Sequence, residues 1–291
     1  MFSIIIPLYN KADYIAETLK SVLNQTYCDY EVIVVNDSST DNSLEVASSF
    51  QDERIHIYTK ENEGVSAARN YGIMHAKYDY IAFLDADDIW ESDYLECQKK
   101  LIEIYPDAGI YSTAFYSLEK GKRKLRNVLI NEHTHFLVHD YFKESVMNGL
   151  SICWTSSLCL KKEVIKEIPM FRVGIKRGED LDLWLRIALN YDVAYLNLPK
   201  VFYRTGLSDS LTSDYSKNGE FPYYEWFNFT SESSYYRKYV ILAMYIHAKN
   251  AFIHHDYDTC LAELWSVKTI AWRFKWAERL LLLVISWIKS K

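Results

Sequence analysis

In the first hundred residues, short apolar runs alternate with segments of helical period, and few folds accommodate that order. Residues 2–7, 31–36, 55–59 and 80–84 read as strands, and residues 12–25, 41–50 and 65–76 as helices. Strand and helix in strict alternation predict an α/β fold, a mainly parallel sheet covered by helices on both faces. Ligands of such sheets bind beyond the carboxyl ends of the strands. Those ends carry the polar chemistry here: Tyr9 and Asn10 after the first strand, Asp37 after the second, and Asp85, Asp87 and Asp88 after the fourth. One crevice can collect them all.

Further along the pattern is mixed, with a strand expected at 109–115, a helix at 180–190 and a strand at 193–196. Beyond Tyr223 the chain is rich in Tyr, Trp and His and reads mostly helical. The expected organisation is therefore a catalytic domain over 1–222 and a helical C-terminal extension over 223–291, a division that 291 residues allow.

Composition removes several function classes. A formal charge of -6 argues against a general nucleic-acid binder, which needs surplus Lys and Arg to neutralise phosphates. Cys28, Cys97, Cys153, Cys159 and Cys260 form no C-x-x-C pair and read as reduced thiols of a cytoplasmic protein. The N-terminal apolar run is too short for a signal peptide's core and has no basic residue before it. No segment reaches the roughly 20 apolar residues a membrane span needs. Neither G-x-G-x-x-G nor G-x-x-x-x-G-K-[ST] occurs, which excludes a Rossmann oxidoreductase and a P-loop.

Three motifs carry candidate chemistry. FLDADD (83–88) ends a buried strand in three carboxylates, and its D-x-D spacing puts Asp85 and Asp87 on one side of the chain, as oxygen ligands for Mg²⁺ or Mn²⁺. The bland alternative is that Asp87 or Asp88 caps a helix running through 90–94. Asp37 in VVNDSSTD ends a strand before a helix capped by Thr40 or Asp41, and could be an ordinary turn aspartate. Glu179 and Asp180 open a helix whose later face carries Leu183, Trp184 and Ile187; acidic residues at that position also merely complement the helix dipole.

Taken together, SIIIPLYNKADYI, EVIVVNDSSTD, ENEGVSAARN, FLDADD and RGEDLDLWLRIA, in that order over residues 1–205, resemble the family 2 glycosyltransferases of the GT-A fold, bacterial-type and non-processive. The resemblance implies a nucleotide-sugar half at about 1–115 and an acceptor half at about 116–222. It implies that Pro7, Tyr9, Asn10 and Asp37 hold the base, and that Asn62, Gly64, Arg69 and Asn70 lie along the nucleotide and donor sugar. It further implies that Asp85 meets the ribose, that Asp87 meets a bridging Mn²⁺ or Mg²⁺, that Asp180 is the catalytic base and that Glu179 helps place the acceptor. The implied reaction is inverting transfer of a hexosyl or N-acetylhexosaminyl group from a nucleotide diphosphate, a UDP-sugar, to a saccharide or lipid-linked saccharide hydroxyl in surface glycan assembly.

Many relatives carry Y-R-x-H, and the matching segment here, YRTGLSDSLTS, has Gly206 in the place of His; Arg204 and Ser210 remain for the diphosphate. Trp154 could stack on an acceptor sugar or belong to the core. His133, His135 and His139 have metal-like spacing without supporting carboxylates or cysteines, and read as a solvated loop or the edge of the acceptor groove. A processive synthase would add Q-x-x-R-W and membrane spans, both lacking in this sequence. The alternative from another class is an inactive nucleotide-sugar-binding or scaffold protein, which would have no need of a base at Asp180. From Lys268 onward six basic residues face a single acidic one, with Trp272, Trp276 and Trp287 near the ends of an apolar stretch. That pattern suits a helix lying on an anionic membrane surface at the inner face of the cell membrane, or one packed on protein.

Overall fold

The computed structural model describes residues 1–207 and 230–253, apart from 130, 150 and 176. The N-terminal half runs β1 (Phe2–Leu8), α1 (Ile15–Leu23), β2 (Tyr30–Asn36), α2 (Ser43–Ser48), β3 (Ile55–Thr59), α3 (Val65–His75), β4 (Tyr80–Phe83), β5 (Ile89–Trp90) and α4 (Tyr94–Ile104). It continues with β6 (Ile110–Glu119), β7 (Lys122–Arg126), β8 (His135–Val138), α5 (Tyr141–Asn148), β9 (Leu158–Lys161), α6 (Lys162–Glu167), α7 (Glu179–Ala188), β10 (Val193–Arg204) and α8 (Tyr236–Ile253).

The expected parallel sheet is present as β3-β2-β1-β4, with Ile4 opposite Val32 on one side and Ala82 on the other. β1 and β2 are buried along their whole length save Pro7, which is why both read as continuous Ile/Val runs rather than as alternations. Antiparallel β9 then joins β4 to β6, and β10 runs parallel to β6, so the completed sheet is mixed. α1 covers the sheet with Ile15, Leu19 and Val22, spaced at the helical repeat and fully buried. α3 lies close on β1 because residue 72 is glycine: a Cβ there would sit 2.5 Å from the Ile5 side chain. The same helix carries Arg69.

Two differences from expectation bear on the site. β10 continues to Arg204, beyond the 193–196 expected, because the pairing with β6 resumes past register shifts on either side of Pro199. Proline reads as a strand break, yet a bulge tolerates it. The helix through 90–94 is not formed; Ile89 and Trp90 pair with Phe202 and Val201, and α4 starts at Tyr94 after an Asp93 cap. Asp87 and Asp88 are therefore not helix caps.

The chain divides into two compact units, one of 1–141 and 151–221 and the other of 142–150 and 222–291. In the second, Phe142 meets Tyr236 and Tyr239 edge-on at 4.8 and 5.5 Å, and Val240, Ala243 and Met244 are fully buried. No helix among the described residues is long and apolar enough to cross a membrane. The tail from Lys268 lies outside the described residues.

Candidate functional site

The loop after β4 is held from three directions. The Thr18 hydroxyl of α1 donates to the carbonyls of Ala86 and Asp88 at 2.9 and 2.8 Å, and the Ser156 hydroxyl accepts the Asp85 amide at 3.1 Å. Asp88 is fully buried; its carboxylate accepts the Ser156 hydroxyl at 2.6 Å and the Arg204 backbone N–H at 3.1 Å. Burial pushes its pKa well up, the charges of Asp87 and Asp85 add to that, and the two hydrogen bonds oppose it. Asp88 therefore braces the loop, while the Asp85 and Asp87 side chains stay partly exposed at the strand end.

Asp87 pairs with Lys11 at 3.0 Å. Burial raises its pKa, Lys11 draws it down and Asp85 raises it again. Arg204 donates to the Asp87 carbonyl at 2.7 Å, contacts the Glu17 carboxylate and lies 5.4 Å over the Tyr14 ring. The end of β10 thus delivers a cation to the same loop.

Arg69 links this loop to the start of α7. Its guanidinium donates to Asp85 at 2.8 Å and to Glu179 at 2.8 Å, with the side chain only 4% exposed and the Phe171 ring 5.3 Å away. Asn70 fixes that ring's segment by exchanging two hydrogen bonds with the Phe171 backbone, at 2.7 and 3.0 Å. Beside Glu179, Asp180 accepts the Leu181 amide at 2.7 Å and the Thr155 hydroxyl at 3.1 Å. Burial pushes Glu179 up to about 7, the Asp180 charge adding and Arg69 opposing. Asp180 is also raised, by burial first, with Arg69 and the two hydrogen bonds drawing it back. A carboxylate pair in such surroundings is a candidate for acid–base work.

The other candidates from the sequence flank this centre. Asp37 is 3% exposed, and its carboxylate accepts Lys60 Nζ at 3.0 Å and the amides of Glu63 and Gly64 at 3.1 and 2.8 Å, so it clamps the loop that leads into α3. Asn62 is exposed on that loop. Asn10 takes a left-handed φ of 50°, which Asn tolerates, and accepts the Thr40 amide at 2.8 Å, joining the ends of β1 and β2. Pro7 lies within β1, and Tyr9 stands 44% exposed at its end. The Trp154 ring centroid lies 4.3 Å from that of Tyr203 and 5.5 Å from that of Phe115, and its buried Nε1 has no hydrogen-bond partner among the described residues. Ser210 lies outside the described residues. His135 and His139 pair separately with Tyr105 and Asp192, at 3.1 and 2.7 Å.

The donor set suits a hard cation in part. Asp85 and Asp87 offer oxygens of the type Mg²⁺ and Mn²⁺ take. Among the described residues no group of three or more His, Cys, Asp or Glu side chains could hold an ion. Gly206 has φ 73°, a conformation in which a side chain such as His would be strained. The two carboxylates therefore fit such an ion where substrate phosphate oxygens complete its shell.

Sequence reasoning missed Lys11, Thr155 and Ser156. A lysine after a strand and a Trp-Thr-Ser-Ser run have no distinguishing pattern, and only the fold brings them to the carboxylates.

Residues 3–168 match the family described as Glycosyl transferase family 2. The chain belongs to that family. Among relatives, it is 32% identical over 198 residues to the putative teichuronic acid biosynthesis glycosyltransferase TuaG of Bacillus subtilis, covering 67% of this chain and 75% of TuaG. It is 36% identical over 191 residues to an uncharacterized glycosyltransferase of Rickettsia felis, covering 64% of this chain but spanning only 30% of that protein's length. A crystal structure of Staphylococcus aureus TarS 1-349 in complex with UDP-GlcNAc superposes with a TM-score of 0.75 at 18% identity, covering 92% of this chain and 81% of that one. At that identity the superposition establishes the fold, a GT-A-like mixed sheet flanked by helices.

Proposed function

We propose that this family 2 member is an inverting glycosyltransferase that moves a sugar from a nucleoside diphosphate donor to a hydroxyl of a saccharide or lipid-linked saccharide. The observation that carries this reading is Arg69, one buried guanidinium joining Asp85 at the end of β4 to Glu179 at the start of α7. It brings a D-x-D strand end and a buried acid–base pair to one place, which transfer requires and simple nucleotide binding does not. UDP is the proposed nucleotide, supported by the fold shared with TarS, whose complex holds UDP-GlcNAc. A role in surface glycan assembly is proposed with it, supported by the likeness to TuaG, which is named for teichuronic acid biosynthesis.

In this reading Asp180 takes the proton of the acceptor hydroxyl as its oxygen attacks the anomeric carbon from the face opposite the diphosphate. A single displacement inverts the centre. Glu179, held by Arg69, shapes the acceptor side. Asp37, Asn10, Tyr9, Pro7 and the 60–64 loop form the nucleoside side, and Arg204 and Lys11 place positive charge where the diphosphate departs. Asp87, with Asp85, would hold Mg²⁺ or Mn²⁺, which when bound supplies further positive charge to the diphosphate. The test is incubation with a panel of nucleotide sugars and either ion. Donor hydrolysis or a thermal shift with UDP-sugars is expected; no response to any nucleotide sugar would end the proposal.

A further inference from the structure

The sequence assigns Asp180 a partner on neither side, yet the structure gives it a specific one. Thr155 is 2% exposed, and its hydroxyl donates to Asp180 Oδ2 at 3.1 Å while the Leu181 amide donates to Oδ1 at 2.7 Å. A carboxylate has about four acceptor positions. With one bond on each oxygen the group cannot rotate freely, and the remaining lone pairs keep a fixed direction. Charged groups from three elements act on it: Arg69 of α3, Glu179 of α7 and Asp85 at the end of β4. None of these holds its orientation by a direct hydrogen bond to Oδ2; Thr155 does.

Thr155 opens a short 3-10 turn, Thr155–Ser157, that reaches the other carboxylates as well. Ser156 holds Asp88 and the Asp85 amide, its carbonyl accepts Trp90 Nε1 at 2.7 Å, and Ser157 closes the turn on the Trp154 carbonyl at 2.9 Å. One rigid turn is therefore in register with both the strand-end carboxylates and Asp180.

We infer that Thr155 is a positioning residue for the base: it aims the Asp180 carboxylate at the acceptor hydroxyl and favours its ionised form, through a turn that is also anchored to the Asp85–Asp88 loop. This rests on the reading of Asp180 as base. A structural role alone would predict a loss of folding when the hydroxyl goes. A positioning role predicts a change in how Asp180 titrates and turns over while nucleotide binding stays.

The experiment compares Thr155→Val, Thr155→Ala, Thr155→Ser and Asp180→Asn in the full chain. The Asp180 carboxyl titration is followed by ¹³C NMR on metal-free protein, assigned with Asp180→Asn, and UDP binding by thermal shift. Turnover is followed with UDP-GlcNAc and Mn²⁺. Val and Ala, which both lack the donor, are expected to move the titration to higher pH. They are also expected to lower kcat about tenfold to a hundredfold, with donor KM and the UDP shift retained. Ser should restore both. An Asp180 midpoint unchanged in Val and Ala overturns the proposal whatever turnover does. Failure of the underlying reading is separate: parental turnover in Asp180→Asn would remove the base itself, and the role of Thr155 with it.

Discussion

Asp85 and Glu179 share one guanidinium, each 2.8 Å from Arg69, although one follows β4 and the other opens α7. Neither carboxylate is fully exposed, and Arg69 has almost no water of its own. Removing the cation leaves two like charges facing one another across a desolvated gap. Arg69→Met is therefore expected to cost about 3 kcal/mol of stability, the scale for breaking a buried ion pair, and to abolish turnover. Arg69→Lys keeps the charge without the fork and should recover stability only in part. Chemical denaturation with a turnover assay checks both; a Met variant as stable as the parent would show that the bridge is not a structural support.

A second expectation concerns chemistry alone. Asp180→Asn preserves size and keeps one of the two hydrogen bonds, from Leu181 or from Thr155, through its single amide oxygen, but cannot take a proton. Nucleotide binding should be nearly unchanged, while transfer falls by about 10² to 10⁴. Near-normal turnover would move the base elsewhere, Glu179 being the nearest carboxylate.

The same pair sets a pH dependence. Glu179 is pushed up to about 7 and Asp180 is raised too, so the neutral form of the pair gains ground as pH falls. The base works ionised. Transfer should therefore rise with pH, with an acid limb extending toward 7 rather than ending near the usual carboxylate range of about 4. Glu179→Gln removes the group pushed up to about 7, so the upper step of the pair is lost and the limb should move to lower pH. An identical limb in that variant would separate it from the carboxylate pair.

How far the site could be read from sequence depends on what each residue's partners are. β3 has the expected bounds, 55–59, because the β-branched and aromatic residues of IHIYT mark a strand by themselves. The D-x-D end of β4 and the E-D start of α7 were likewise visible as local patterns. Arg69 reads from sequence only as a helix residue along the nucleotide, since its two anion partners lie on other elements. Trp90 pairs with β10 instead of starting a helix because a tertiary pairing outweighed local propensity. Thr155 and Ser156 matter only through hydroxyl contacts that no periodicity encodes.

The basic tail, which lies outside the described residues, gives a prediction of its own. Liposomes containing anionic lipid should float the full chain at low salt and fail to float a truncation ending near Thr269, because the truncation removes five of the six basic residues that supply the attraction. Equal flotation of both would assign membrane contact to another surface, and no flotation of either would favour a helix packed on protein.

The last expectation addresses how the diphosphate's charge is met. Asp87 stands at the strand end with Lys11 at 3.0 Å, and Arg204 donates to its carbonyl at 2.7 Å, so two cations already converge on this loop. Neither is uncommitted, since Lys11 meets Asp87 and Arg204 also contacts Glu17. A diphosphate arriving beside Asp85 and Asp87 brings more negative charge to a place that already holds two carboxylates. Charge balance then favours a divalent ion, which Asp87 would hold and which would supply further positive charge. Chelation by EDTA should therefore remove most transfer by the parent protein and weaken donor binding. Asp87→Ala should show the same loss without chelator and little further loss with it, because both treatments remove one contribution. Isothermal titration with UDP, with and without Mn²⁺, checks the binding half. Full transfer in excess chelator would instead assign the charge compensation to Lys11 and Arg204, and Lys11→Met would then be the variant that loses donor affinity.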